Sequence, residues 1–205
     1  SATRDDESCK ITVAMGTAPN LFKFATSELS QDAMLCWIAA WASPVVAATD
    51  PELHLLGIRF VTSLFGAHDR EAPVIKSLDV HRQYRGIDVL LVVNDEYAVC
   101  VEDKAGSVEH SDQLTRYLGI LEADGWERAR ILPIYVQTFE QSDYSDVRAA
   151  GYAVIDRPRL METLGQYVEA GHSNAIAVDF FEHLQKIDAE IKSFRSASLD
   201  AWSGL

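Results

Sequence analysis

Arg85–Lys104, RGIDVLLVVNDEYAVCVEDK, is the stretch from which the rest of this 205-residue chain can be read. Two β-rich apolar runs, IDVLLVV and YAVCVE, flank Asn94-Asp95-Glu96, which reads as the tip of a hairpin. Strand side chains alternate faces, so Asp88, Leu90 and Val92 share one face of the first run, and Ala98, Cys100, Glu102 and Lys104 share a face of the second by the same rule. A three-residue loop sets Val93 opposite Tyr97 and, counting back, Asp88 opposite Glu102. Directly opposed residues of an antiparallel pair point the same way, with Cβ atoms about 5 Å apart. Two carboxylates held that close repel, so a cation is expected between them, and Lys104 is only one charge. A divalent metal fits better, because Mg²⁺ takes oxygen ligands and commonly uses one or two carboxylates with substrate phosphate. The register also puts Glu96 in the left-handed position that Gly or Asn prefers, and a one-residue slip would part the two acids.

Working outward, the residues after the lysine predict a helix capped by Ser107 or Ser111, with Leu114, Tyr117, Leu118 and Leu121 on one face. Gln113 and Tyr117 are four apart and meet on the helix surface. Upstream, Thr26 or Ser27 caps a helix that runs to about Trp41, with Glu28 in its first turn. Asp50-Pro51-Glu52 starts another that stops at Gly66, and its His54 reads as a satisfied helix histidine. Val74–Tyr84 supplies a strand before the hairpin. Arg130–Phe139 supplies a buried strand despite Pro133, followed by the polar loop QSDYSD, and Tyr152–Ile155 a short strand ending at Asp156. Pro158 opens a helix that ends near Ala170-Gly171. A last helix, 173–195, starts near Ser173 or Asn174, with Ala177, Phe180, Phe181, Leu184, Ile187, Ile191 and Phe194 in a stripe that packs on the domain rather than in a coiled coil.

Asp88, then Glu102-Asp103-Lys104 after a hairpin, then QLTRY (113–117) on a helix, resembles the PD-(D/E)xK nuclease superfamily, the last segment being similar to its Q-x-x-x-Y motif. FKFATSELSQDAMLCW (22–37) is similar to the first helix of a bacterial branch, with Glu28 at the place of the motif-one glutamate. The pieces arrive in the family's order over Phe22 to about Leu121; Ile87 stands where the name-giving proline would be. The resemblance implies an α/β fold, a restriction-endonuclease-like mixed sheet flanked by helices. It implies hydrolysis of phosphodiester bonds, with DNA as the expected substrate. Asp88 and Glu102 are then expected to hold Mg²⁺ or Mn²⁺, with the Asp103 carbonyl as a further ligand and Glu28 completing the shell. Lys104 would position the attacking water and stabilise the anionic transition state, and Gln113 and Tyr117 would orient substrate or nucleophile. The rival is a nuclease-like fold that binds nucleic acid or protein without catalysis.

Composition bounds the rest. The length suits one domain over residues 1–205; residues 1–20 lack periodicity and read as disordered, with Ile11–Met15 open between a short strand and disorder. A net charge of −13 lacks the basic footprint usual for nucleic-acid binders. Basic residues group at His81–Arg85 and at Arg128 and Arg130. No run reaches the ~20 apolar residues of a membrane helix, Met34–Ala48 being interrupted at Ser43-Pro44. The acidic opening SATRDDESCK is unlike a secretory signal, and the missing initial Met and the SGL ending read as processing or trimming. Cys9, Cys36 and Cys100 are odd in number and lack zinc spacing, which suits reduced thiols in the cytoplasm. A homodimer through the last helix is the alternative use of its stripe.

Overall fold

The computed structural model describes residues 9–11, 31–104, 111–139 and 141–203. One six-stranded mixed sheet carries the fold: β1 (Cys9–Ile11), β2 (Leu78–Tyr84), β3 (Ile87–Val93), β4 (Tyr97–Lys104), β5 (Ile131–Gln137) and β6 (Ala153–Asp156). They lie side by side in chain order, antiparallel from β1 to β4 and parallel from β4 to β6. The switch to parallel requires a crossover of a dozen or more residues. The segment containing α3 (Ser111–Ala123) provides it between β4 and β5. This is the mixed, helix-flanked α/β architecture expected of the sequence.

Alternation along the hairpin separates two cores. Val89, Leu91, Val93, Val99 and Val101 face a cluster built with α1 (Gln31–Ala40), α2 (Pro51–Gly66), α5 (Arg157–Glu169) and α6 (Ala175–Ser203). Leu90, Ala98 and Cys100 face a second cluster with Leu114, Tyr117, Leu118 and Leu121 of α3 and Val147 of α4 (Ser145–Ala149). Helix α1 is buried on all sides from Asp32 to Ala40, as a helix apolar all round must be. Its C-terminal end lies against α2 at Gly57, where a Cβ would overlap the Ala42 nitrogen and the Trp41 carbonyl carbon, so only glycine permits this approach. The His54 ring bonds the Trp41 carbonyl at 2.7 Å, which makes it the satisfied helix histidine expected.

Several boundaries differ from the sequence expectation. The first strand expected at Ile11–Met15 is observed at Cys9–Ile11, while 12–30 lie outside the described residues, and the caps at Thr26 or Ser27 with them. Residues 74–77 do not extend β2. They arch over the hairpin tip, where the Asn94 side chain accepts from the Lys76 and Ser77 N–H groups at 2.7 and 3.1 Å and donates to the Val74 carbonyl at 2.9 Å. The left-handed tip positions are Asn94 and Asp95, with φ of 57° and 55°, and not Glu96. Their short polar side chains tolerate that conformation, which a glutamate does less well. The polar loop after β5 contains α4, started by the Asp143 carboxylate, which accepts from both the N–H and the hydroxyl of Ser145 at 2.8 and 2.7 Å. Pro133 is tolerated inside β5 because it lies one residue before the first β5–β6 pair, Ile134 with Ala153, where the strand is still an edge.

Helix α6 packs on α5 through its first half, with Ala177, Leu184 and Ile187 buried and Phe194 78% exposed. Asp188 on α6 receives Nε and Nη2 of the buried Arg157 at 3.1 and 3.0 Å, while Arg157 Nη1 reaches the Thr138 carbonyl at 2.8 Å. A bond from Lys192, and then those from Arg157, hold the Asp188 carboxyl below its ordinary range. Cys36 and Cys100 are buried free thiols whose ionisation is pushed up by burial, that of Cys100 to about 12. No helix among the described residues is long and apolar enough to cross a membrane.

Candidate active site at the strand ends

The hairpin has the register read from the sequence. Val93 pairs with Tyr97, and the ladder runs without a slip through Val92–Ala98, Leu91–Val99 and Leu90–Cys100 to Val89–Val101. Asp88 and Glu102 fall on the next rung. There the ladder gives way to side chains, and the Asp88 carboxylate accepts the Asp103 N–H at 2.9 Å. Glu102 is fully buried on the α3 side of the sheet, and Lys104 Nζ lies 2.5 Å from its Oε1. A buried carboxylate is costly unless paired, so this contact both stabilises Glu102 and fixes where the ammonium points.

The other oxygen of Asp88 is held by Gln83, whose Nε2 donates to Oδ1 at 3.0 Å and lies 3.5 Å from Asp32 Oδ2. Gln83 adopts φ of 57° inside β2, between the Arg82–Val89 and Tyr84–Ile87 pairs. A non-glycine residue in that conformation costs free energy, and such residues gather at functional sites. In the sequence Gln83 stands out only as a member of the basic group His81–Arg85, because nothing in a strand-like run marks a single left-handed residue.

On the opposite face, α1 contributes Gln31 and Asp32. The Gln31 amide donates to Asp103 Oδ1, while its carbonyl accepts from the Thr138 hydroxyl at 2.8 Å. Asp32 lies 3.4 Å from Arg82 Nη1. Burial, and then the charges of Asp88, Asp32 and Glu102, push the Asp103 carboxyl up to about 8, against the lowering effect of the Gln31 amide. Four acids thus crowd one end of the sheet, distributed over both of its faces.

This donor set fits a hard divalent cation: it offers carboxylate oxygens with neither thiolate nor imidazole, and its excess negative charge is what a cation would relieve. Among the described residues no group of three or more His, Cys, Asp or Glu side chains is placed to hold a metal ion. The fit therefore rests on two carboxylates with backbone and solvent oxygens, the sparse ligation that Mg²⁺ accepts. Glu28 lies outside the described residues. Gln113 stands in the first turn of α3, with its side chain outside the described part. Tyr117 is 2% exposed and seated in the core between α3 and the sheet, with the Arg116 guanidinium 5.5 Å from its ring centre.

A family model for the PD-(D/E)XK nuclease superfamily matches residues 53–199. The match takes in Asp88, Glu102, Lys104, Gln113 and Tyr117, and leaves Glu28 and α1 outside. Neither the curated proteins nor the solved structures gave a match.

Proposed function

The chain belongs to the PD-(D/E)XK nuclease superfamily, and on that premise we propose that it is a divalent-metal-dependent nuclease that hydrolyses phosphodiester bonds, with DNA as its substrate. The observation that carries this reading is the end of the hairpin. An unslipped register brings Asp88 onto the Asp103 N–H and sets Lys104 2.5 Å from buried Glu102. A module that only bound would gain nothing from crowding acids there.

In this reading Asp88 and Glu102 hold Mg²⁺ or Mn²⁺, with the Asp103 carbonyl and Glu28 as further ligands. The cation supplies Lewis acidity at the phosphate when bound. Gln83 and the Asp103 N–H each take one oxygen of Asp88, which fixes the plane of that carboxylate. Charged Lys104 has no lone pair for a metal. Its ammonium positions the attacking water and stabilises charge that grows on the phosphoryl oxygens. Tyr117 contributes through the core by seating α3, so that Gln113 is carried to the strand ends to orient substrate or nucleophile. The net charge of −13 means that contact with the substrate depends on the cation more than on a basic surface.

The test is a Mg²⁺ and Mn²⁺ titration with single-stranded, duplex and branched DNA and with RNA, wild type against Lys104→Ala. Cleavage should require the cation and fall by at least about 10²- to 10³-fold in the variant, assayed well below its melt with metal affinity retained; the metal-free variant should melt lower, because buried Glu102 loses its partner. Cleavage near the wild-type rate by Lys104→Ala, in protein free of host nucleases, would retire the lysine.

A further inference from the structure

Beside the strand ends lies a cavity of about 170 Å³ lined by Phe139, Gln141, Tyr144, Asp156, Arg157 and Pro158. We propose that it is a stacking subsite for one unpaired nucleobase of the substrate strand, so that the enzyme engages single-stranded or frayed ends. This rests on the nuclease reading above and adds the form of its substrate.

Position is the first argument. Lys104 ends β4 and pairs with Gln137, which ends β5 and pairs in turn with Asp156 at the end of β6. Lys104 and Asp156 are therefore two strand spacings apart, about 10 Å. A stacked single strand covers that distance in roughly three nucleotides at 3.4 Å each. Ligands of α/β sheets bind beyond the carboxyl ends of parallel strands, and both the cavity and Lys104 lie there.

Chemistry is the second. The volume is below the ~300–1,000 Å³ that encloses a drug-sized ligand, and suits a single ring system. Phe139 presents 42% of its surface to solvent. Tyr144 is braced edge-on against Tyr135, with ring centres 6.2 Å apart. Phe139 and Gln141 are each tied to β5: Gln137 accepts the Phe139 N–H at 3.2 Å, and Gln141 accepts from the Tyr135 hydroxyl at 2.9 Å and from the Gln137 amide at 3.3 Å.

Charge then selects a base over a phosphate. Arg157 is already paired with Asp188 and bonded to the Thr138 carbonyl, so most of its charge is neutralised within the fold. One oxygen of Asp156 caps α5 through the Arg159 N–H at 3.1 Å, and the other makes no hydrogen bond among the described residues. A carboxylate repels phosphate but accepts from the amino group of a base. Stacking on an aromatic ring adds affinity through the π-face of the base rather than through charge, which suits a chain of net charge −13.

The test uses a single-stranded oligodeoxynucleotide carrying 2-aminopurine, titrated in Mg²⁺ with Lys104→Ala protein, so that the probe stays intact. Binding should quench the fluorescence. Adding Phe139→Ala should abolish the quench and weaken Kd by about 5- to 100-fold, and Phe139→Trp should restore both. An unquenched probe with the parent, or equal quenching and Kd with Phe139→Ala, overturns the subsite. Wild-type cleavage of the unlabelled strand is read in parallel. Cleavage with a KM indifferent to Phe139→Ala removes the subsite and leaves the nuclease, whereas Phe139-dependent quenching without any cleavage removes the nuclease and leaves the subsite.

Discussion

The two ends of the β3–β4 hairpin are built by opposite rules. At the tip, every demand of the backbone is met locally. The left-handed positions go to Asn94 and Asp95, and the Asn94 side chain ties residues 74–77 across the turn with three hydrogen bonds. At the open end, local demands are violated. Gln83 is left-handed without being Gly, Asn or Asp, a carboxylate is buried at Glu102, and burial, with the charges of Asp88, Asp32 and Glu102 added, raises the Asp103 carboxyl. Both ends share the same two strands and the same cores, so the difference lies in purpose. A chain that can satisfy one end locally tolerates conflict at the other only where the conflict is used.

That contrast can be broken by substitution. The largest effect after Lys104 is expected at Gln113→Ala, which should lower turnover by about 10- to 100-fold, as positioning groups do, without moving the melting temperature. Unchanged turnover would leave the Q-x-x-x-Y resemblance as a core stripe alone. Asn94→Ala should behave in the reverse sense. It loses a tolerant left-handed residue and three exposed hydrogen bonds, for a cost of about 1–2 kcal/mol. At about 2–4 °C per kcal/mol for a chain of this size, a thermal melt should fall by roughly 2–8 °C, while kcat well below the melt stays as it was. A loss of kcat at Asn94 would make the two ends one functional unit.

The smallest effect lies away from the hairpin. Asp188 is held below its ordinary range by Lys192 and Arg157, so in the folded chain it keeps its charge to lower pH than when unfolded. Its contribution is complete above the unfolded value near ~4 and is lost as pH falls through the lower folded value. Asp188→Asn should therefore melt below wild type at neutral pH, and the gap should close as the pH drops below about 4. A gap that stays constant with pH would make Asp188 a packing residue.

The regular half of this molecule was legible because periodicity carried it. Alternation in IDVLLVV and YAVCVE fixes both faces of the hairpin, and the three-residue tip fixes its register, with Val93 opposite Tyr97. The helix starts at Asp50 and Asp156 follow from side chains that accept from Leu53 and Arg159 N–H groups, with proline just inside each helix. What escaped was set by tertiary contact. Helix α4 is five residues long and is held by buried Val147 rather than by its own propensity. Residues 74–77 had strand composition, but the Asn94 side chain claimed their backbone groups. At the candidate site, hairpin spacing sets Asp88 opposite Glu102 and the family resemblance singles out Lys104, whereas Gln83, Gln31 and Asp32 come from three-dimensional proximity. Tyr117 was read as a group facing substrate, and its ring is in the core, an ambiguity that an i, i+4 pair on an amphipathic helix always carries.

The most direct test of the central claim needs no substrate. If Asp88 and Glu102 form a cation site, their repulsion strains the metal-free protein, and Asp88→Asn relieves it while keeping the shape and the bond from the Asp103 N–H, the Gln83 amide turning over to accept from the new NH2 group. In a thermal melt without metal, the variant should unfold at the wild-type temperature or above, where most changes at partly buried polar groups lower it. With Mn²⁺, the wild type should gain stability in proportion to the logarithm of metal concentration over Kd, and the variant should gain little. No response to Mn²⁺ in either protein, or the same response in both, would contradict a metal at Asp88 and with it the proposed enzyme.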